Sequence, residues 1–222
     1  MLLSRIWYFL IAAGLALSAL ASVLTQASLN RQYREALTDQ LTRDQGEVEL
    51  WLALDARSRL DALMVVSSDV QVRTALQQGS AATGKGTTET LRASLTRRLN
   101  QLNDEKLAEL RGDLLFALNL SGHIVAQVGG KAAPAGASLA ALPVVERALR
   151  GFVRDDVWLY HGFLYRIAAR PVIHAGRYVG AVVHGKRCDS EFAARIGKRL
   201  QGATFAMLTA DRILGSHQPE QR

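Results

Sequence analysis

The stretch VWLYHGFLYRIAAR, residues 157–170, contains two short strands on either side of a dipeptide that is typical of a tight turn. A two-residue turn at His161-Gly162 predicts that the two strands pair antiparallel. Because side chains alternate between the two faces of a strand, the aromatic residues on both sides of the turn share one face. That face carries Trp158, Tyr160, Phe163 and Tyr165, with Trp158 opposite Tyr165 and Tyr160 opposite Phe163.

This aromatic face has two interpretations, and the sequence leaves open which face of the hairpin would meet a ligand. It is either a core face or the wall of a small-ligand pocket, since such pockets combine apolar walls with a few polar groups. Arginines nearby would then supply a bidentate clamp for a carboxylate, with Arg150 and Arg166 among the candidates. The candidate ligand-binding residues are Arg147, Trp158, Tyr160, Tyr165 and Arg170.

Short strands and short helices alternate over the whole C-terminal half of the chain. Turn residues between apolar runs predict strands at 114–120, 123–128, 153–160, 163–172, 178–184, 203–209 and 212–216. Helices are expected at 143–150, where Pro143 suits the first turn, and at 190–201, with Asp189 or Ser190 as the cap. This order predicts an α+β fold, with an antiparallel sheet and the helices collected on one side.

Residues 28–76 predict one long helix or two stacked helices. Leu29, Tyr33, Leu37 and Leu41 recur every four residues, which makes a narrow apolar stripe on a charged helix. Such a stripe must be buried either on its own domain or on a second copy of the chain. A loop rich in small residues is expected at 77–89, and a second helix at about 89–110.

The N-terminus reads IWYFLIAAGLALSALASVL from Ile6 to Leu24, and no ionisable side chain lies between Arg5 and Arg31. Nineteen helical residues span roughly 28 Å, close to the thickness of a bilayer core. The segment is either an uncleaved membrane anchor, which we favour, or a signal peptide cleaved after Ala21. The arginines that flank the segment do not favour a cytoplasmic N-terminus.

Composition limits the class of protein. The net charge of +7 lies almost entirely in residues 113–222, which hold 14 Lys and Arg against 8 Asp and Glu. Such a surface suits anionic small ligands or lipid headgroups, and no nucleic-acid recognition motif appears. The single cysteine, Cys188, excludes an internal disulfide and a cysteine-based zinc site.

No motif in the sequence supports an enzyme, a cofactor or a metal site. The string GSAATGKGT, residues 79–87, matches a phosphate-binding loop, but it lacks the buried strand that must precede such a loop. Nucleotide binding therefore remains a remote alternative. The five histidines show no metal-ligand spacing, and the carboxylates after residue 113 form no acid–base pair.

Several segments together resemble the extracytoplasmic Cache-type sensor domains, in the double form found in bacterial histidine kinases, chemoreceptors and diguanylate cyclases. They are LFALNLSGHIVAQVG (115–129), PVVERALRG (143–151), Trp158 with LYRIAARPV (164–172), and GRYVGAVVHG (176–185). The resemblance implies a stalk helix packed along a PAS-like antiparallel sheet, a small bound ligand, a periplasmic location and a homodimer. Ligand binding would shift helices relative to the membrane.

The resemblance also divides the chain. It implies an anchor at 1–27, a helical stalk at 28–112, one PAS-like sensor module at 113–217 and a tail at 218–222. Such receptors continue into a second transmembrane helix and an output module, which this sequence does not contain. We therefore expect either part of a longer receptor or an anchored binding protein. A scaffold that binds a protein partner with the same fold is the alternative.

Overall fold

The computed structural model describes residues 2–81, 85–107, 110–134, 136–200, 205–208 and 213–217. The chain divides into two compact units, Met1–Leu50 and Trp51–Arg222. Its five helices in these ranges are α1 (Leu2–Ser68), α2 (Val70–Ala81), α3 (Lys85–Glu105), α4 (Pro143–Leu149) and α5 (Ser190–Gly197).

The first unit is helical from residue 2 to residue 50, as part of α1. Its predicted apolar stripe is exposed at Leu29, Tyr33, Leu37 and Leu41. Most side chains of the predicted anchor at residues 6–24 lie outside the described ones. In the part of the chain that the structure describes, no helix is both long and apolar enough to cross a membrane.

Asp69 separates α1 from α2 and fixes the start of the second helix. Its Oδ1 accepts a hydrogen bond from the Val72 amide at 3.1 Å, as an N-capping carboxylate does. Arg98 of α3 donates to Oδ2 at 2.6 Å. One carboxylate therefore caps α2 and attaches α3 to it. The predicted loop at 77–89 is shorter than expected, because α2 continues to Ala81 and α3 begins at Lys85.

The phosphate-loop string at 79–87 is consequently divided between two helices. Gly79 belongs to α2 and Lys85 begins α3, while residues 82–84 lie outside the described part.

The main sheet has five antiparallel strands in the order β2-β1-β5-β4-β3. Their bounds are β1 (Leu114–Asn119), β2 (Ile124–Val128), β3 (Arg154–Tyr160), β4 (Phe163–His174) and β5 (Arg177–Arg187). Two further strands, β6 (Phe205–Leu208) and β7 (Ile213–His217), form a separate antiparallel pair. The mixed helix-and-sheet architecture with an antiparallel sheet is confirmed, and the residues between the last two strands, 209–212, lie outside the described ones.

The two faces of the five-stranded sheet are covered by different helices. On the helix face, Leu63 and Val66 of α1 pack with residues of α2, α3 and the sheet in one buried cluster. On the aromatic face, Val144, Val145 and Ala148 of α4 pack with Phe116 and the aromatic residues of β3 and β4. The expectation that the helices collect on one side was therefore wrong for α4.

Candidate functional site

The hairpin of β3 and β4 has the predicted register. Trp158 pairs with Tyr165 and Tyr160 pairs with Phe163, on either side of a turn in which His161 has a φ of 47°. The Tyr160 ring meets the Phe116 ring edge-on at 6.0 Å and the Tyr165 ring at 6.4 Å. Edge-to-face contacts of this kind fix ring orientation. Aromatic side chains therefore form a rigid wall on the face opposite α1.

A cleft of about 420 Å³ opens beside this wall, at the end of the sheet where the hairpin turns. Four separate segments of the chain line it, with aromatic rings, two cations and two carboxylates. The lining residues are Asp113, Gly130, Lys131, Tyr160, His161, Phe163, Tyr165, Arg187 and Asp189. A volume of this size is within the range of small-ligand sites.

The charges in the cleft are not equivalent. Asp113 accepts a hydrogen bond from the Arg187 amide at 2.7 Å and lies 3.6 Å from the Lys186 ammonium. Asp189 caps α5 by accepting from the Phe192 amide at 3.0 Å. Both carboxylates therefore accept hydrogen bonds from the backbone, whereas Lys131 and Arg187 are the two cations of the lining.

Aromatic rings hold the cleft's polar groups in place. The Arg187 guanidinium carbon lies 3.5 Å from the centre of the Phe163 ring, a cation–π contact that leaves the planar N–H fork at the edge of the cleft. Burial raises the pKa of the Tyr165 hydroxyl, which therefore stays protonated and can donate a hydrogen bond. Burial also raises the pKa of Tyr160. The cleft thus presents hydroxyl donors and a guanidinium to the same space.

The structure brings only part of the predicted site together. Tyr160 and Tyr165 line the cleft. Trp158 lies on the same face, only 6% exposed in the cluster that contains α4, and its indole N–H has no acceptor among the described residues. Arg147 is exposed on α4. Arg170 lies on the helix face, where it donates to the Leu60 carbonyl oxygen at 3.3 Å.

Sequence reasoning missed the two cations of the cleft. Arg187 was missed because the strand predicted at 178–184 was expected to end at His184. The observed strand, β5, continues to Arg187, which pairs with Tyr165. Lys131 lies in a loop that nothing in the sequence relates to the hairpin. Within the described ranges, no group of His, Cys, Asp or Glu could hold a metal ion.

A second polar cluster lies on the helix face and is almost completely buried. Arg166 of β4 and Arg59 of α1 both bond to Asp55 of α1, through Nη1 and Nε respectively. Burial lowers the pKa of Arg59, because a guanidinium loses its hydration there. The hydrogen-bonded cluster holds two cations and one anion, and Asp155 of β3 also attracts Arg59 electrostatically.

No protein-family profile and no curated protein sequence matches the chain. Solved structures do match. The sensor domain of the Vibrio cholerae histidine kinase DctB is 19% identical, with a TM-score of 0.56 over 87% of this chain and 68% of that one.

Two further structures are more distant. The ligand-binding domain of the Campylobacter jejuni chemoreceptor Tlp3, in complex with 4-methylisoleucine, is 13% identical over 74% of this chain and 70% of that one, with a TM-score of 0.41. That of the Pseudomonas fluorescens chemoreceptor CtaA, in complex with L-serine, is 16% identical over 73% and 67%, with a TM-score of 0.40. The fold that the chain shares with the DctB sensor domain confirms the resemblance to a Cache-type sensor domain at the level of the fold.

Proposed function

We propose that this chain is the membrane-anchored, extracytoplasmic sensing part of a bacterial receptor, and that it binds a small anionic molecule in the aromatic cleft. The cleft is the observation that carries the proposal. Rigid rings at Tyr160 and Tyr165 form its wall, and Lys131 and Arg187 supply cations, while the two carboxylates of the lining accept backbone hydrogen bonds. Arginine in this setting recognises carboxylate or phosphate oxygens in pairs.

The mode of action is recognition rather than catalysis. The DctB sensor domain, with which this chain shares its fold, belongs to a histidine kinase. A ligand that binds one conformation of the domain more tightly shifts the population toward that conformation. Relay of a helix shift from the sensor to the membrane is the output that this fold favours.

A thermal-shift screen of the purified full chain in detergent tests the binding proposal. The screen compares organic acids, amino acids and nucleotides. We expect a rise of several degrees with a carboxylate, and loss of that rise in Arg187→Gln. Arg170→Gln is the matched control, because Arg170 lies on the opposite face of the sheet.

The outcomes of the screen separate the alternatives. A rise that survives Arg187→Gln but is lost in Arg170→Gln would move the ligand to the helix face and overturn the cleft assignment. A flat screen, combined with a stable protein partner in pull-down, would favour the scaffold alternative. A rise only with nucleotide and magnesium, lost in Lys85→Ala, would favour the phosphate-loop alternative.

The anchor and the homodimer belong to the same proposal. The uncharged stretch from Ile6 to Leu24 supports an anchor. The exposed stripe at Leu29, Tyr33, Leu37 and Leu41 supports pairing of two copies along α1.

Two measurements test these points. Alkaline extraction of membranes should leave the chain in the pellet, and its release would contradict the anchor. Light scattering of detergent-solubilised protein should give a dimer, and Tyr33→Glu with Leu37→Glu should give a monomer. A monomer before substitution would contradict the pairing.

A further inference from the structure

Strand β4 connects the cleft to the helix face through two consecutive residues. Tyr165 lines the cleft, and the next residue, Arg166, points to the opposite face of the sheet. Side chains of neighbouring residues in a strand always point to opposite faces. A displacement of the strand at Tyr165 therefore moves Arg166 as well.

Arg166 holds two helices at once. Its Nη1 bonds to Asp55 of α1, and its guanidinium carbon lies 3.9 Å from the centre of the Phe192 ring of α5. The Trp51 ring of α1 is 5.7 Å from the same carbon and packs against Phe192 at 5.4 Å. One side chain of the sheet thus contacts both the helix that precedes the sheet and the helix that follows it.

The acceptor that Arg166 uses is shared. Arg59 donates from Nε to the same oxygen, Asp55 Oδ2, at 2.8 Å. Nη1 of Arg59 and Nε of Arg166 are buried and have no partner among the described residues. A buried network with unsatisfied donors is not at its best geometry. A second arrangement is available, in which Asp55 is held by Arg59 alone, four residues along its own helix.

We propose that Arg166 is a positioning residue that transmits occupancy of the cleft to α1 and α5, by making and releasing its bond to Asp55 while Arg59 keeps hold of that carboxylate. This inference rests on the proposed function, because it takes the cleft as the place that a ligand fills. When Arg166 and Arg59 share Asp55, β4 is tied to α1. When Arg59 alone holds Asp55, that tie is released, and Arg166 keeps its ring contacts and its interaction with the Cys188 thiol.

The test fills the cleft covalently, so it does not depend on knowing a ligand. Lys131→Cys places a thiol in the lining, and the full chain in detergent is labelled with N-ethylmaleimide. Cys188 is buried and burial raises its pKa, so it stays unreactive in the folded chain. Mass spectrometry checks for a single adduct. A second lining position, His161→Cys, provides an independent placement of the same adduct.

The readout is hydrogen exchange of backbone amides 51–62 in α1, with and without the adduct. We expect labelling to change their exchange rates at least threefold. The change should disappear when Asp55→Asn or Arg166→Met is added and persist in part with Arg166→Lys, which keeps the cation. Asp61→Asn is the matched control on the same helix, since Asp61 is exposed and pairs only loosely with Arg57 at 3.6 Å. In Asp61→Asn, labelling should change the exchange rates of amides 51–62 as much as it does in the chain with Asp55, Arg59 and Arg166 intact.

A purely structural role for Arg166 would alter basal exchange but leave the response to the adduct intact. The inference is overturned if neither adduct changes exchange in 51–62, or if the response survives Asp55→Asn and Arg166→Met. Should Asp55→Asn fail to fold, the comparison of Arg166→Met with Arg166→Lys decides the matter. A ligand screen without a hit would not affect the hydrogen-exchange result, because the adduct takes the place of the ligand.

Discussion

Replacement of Asp55 by alanine should destabilise the fold far more than replacement of an aspartate elsewhere on α1. The Asp55 side chain is 15% exposed, and the side chains of its two partners, Arg59 and Arg166, are each 4% exposed. Removal of one partner from a buried ion pair strands the other charge and costs about 3–5 kcal/mol. Alanine's better helix propensity returns about 0.5 kcal/mol, so we expect a net loss of about 3–4 kcal/mol for Asp55→Ala.

Urea denaturation of the purified full chain at constant detergent, followed by circular dichroism, measures this loss. With a slope of about 2 kcal/mol per molar urea, the midpoint should fall by about 1.5–2 M. Asp61→Ala is the control, since both partners of the Arg57–Asp61 pair are largely exposed, and it should change stability by less than about 0.5 kcal/mol. Equal effects of the two replacements would show that Arg59 and Arg166 are hydrated, and would refute the buried cluster.

Three further predictions test other parts of the fold. Burial lowers the pKa of His184 from 6.5 to about 4. Between pH 6.5 and pH 4, the imidazole is therefore protonated in the unfolded chain but neutral in the folded chain. Stability should therefore fall by about 3 kcal/mol as pH drops from 6.5 to 4, and His184→Gln should flatten this part of the urea-midpoint profile. Gly180→Ala should cost about 1–3 kcal/mol in urea unfolding, because φ is +155° and the new Cβ would clash with the Leu118 carbonyl oxygen. Asn103→Ala should cost about 2–4 kcal/mol, measured in the same way, because it leaves the buried N–H and C=O of Gly112 without their partner.

Each of these has an outcome that would contradict it. If the urea midpoint of His184→Gln falls with pH as steeply as that of the parent chain, another group is responsible for the acid sensitivity. Gly176→Ala is the comparison for Gly180→Ala, because Gly176 also has a positive φ but has open space around it. An equal loss of stability at both sites would mean that the backbone at Gly180 shifts to accommodate the new Cβ. An Asn103→Ala loss below about 1 kcal/mol would mean that water replaces the amide.

The hairpin was predictable from sequence because its determinants are local. The turn at His161-Gly162 and the alternation of aromatic residues fix both the pairing and the shared face, and the observed register agrees at every aromatic position. The short helix after Pro143 and the cap at Asp189 follow equally local rules. What alternation cannot decide is which face meets which helix. Arg170 was for that reason grouped with aromatic residues that lie across the sheet from it.

The cleft was beyond sequence reasoning for a different reason. Its lining comes from four segments that meet only because the order of strands in the sheet places the end of β5 beside the start of β1 and the turn after β3. The Asp55–Arg166 contact is likewise formed by residues 111 positions apart. On the sequence, Asp55 belongs to a helix surface where acidic and basic residues alternate, which is typical of a solvated face.

A buried trio of one aspartate and two arginines is not needed to hold a helix against a sheet. Well-packed apolar side chains of similar volume are commonly as stable as such a trio, or more stable. The triple replacement Asp55→Leu, Arg59→Met and Arg166→Met should therefore recover about 2 kcal/mol or more of the stability that Asp55→Ala loses. It should nevertheless abolish the response of α1 to an adduct in the cleft, because leucine and methionine form no ion pair that could be released. This one variant therefore separates stability from transmission. If α1 of the triple variant still responds to the adduct, packing alone carries the signal. If the triple variant is as unstable as Asp55→Ala, the stability that Asp55→Ala loses does not come from stranded charge.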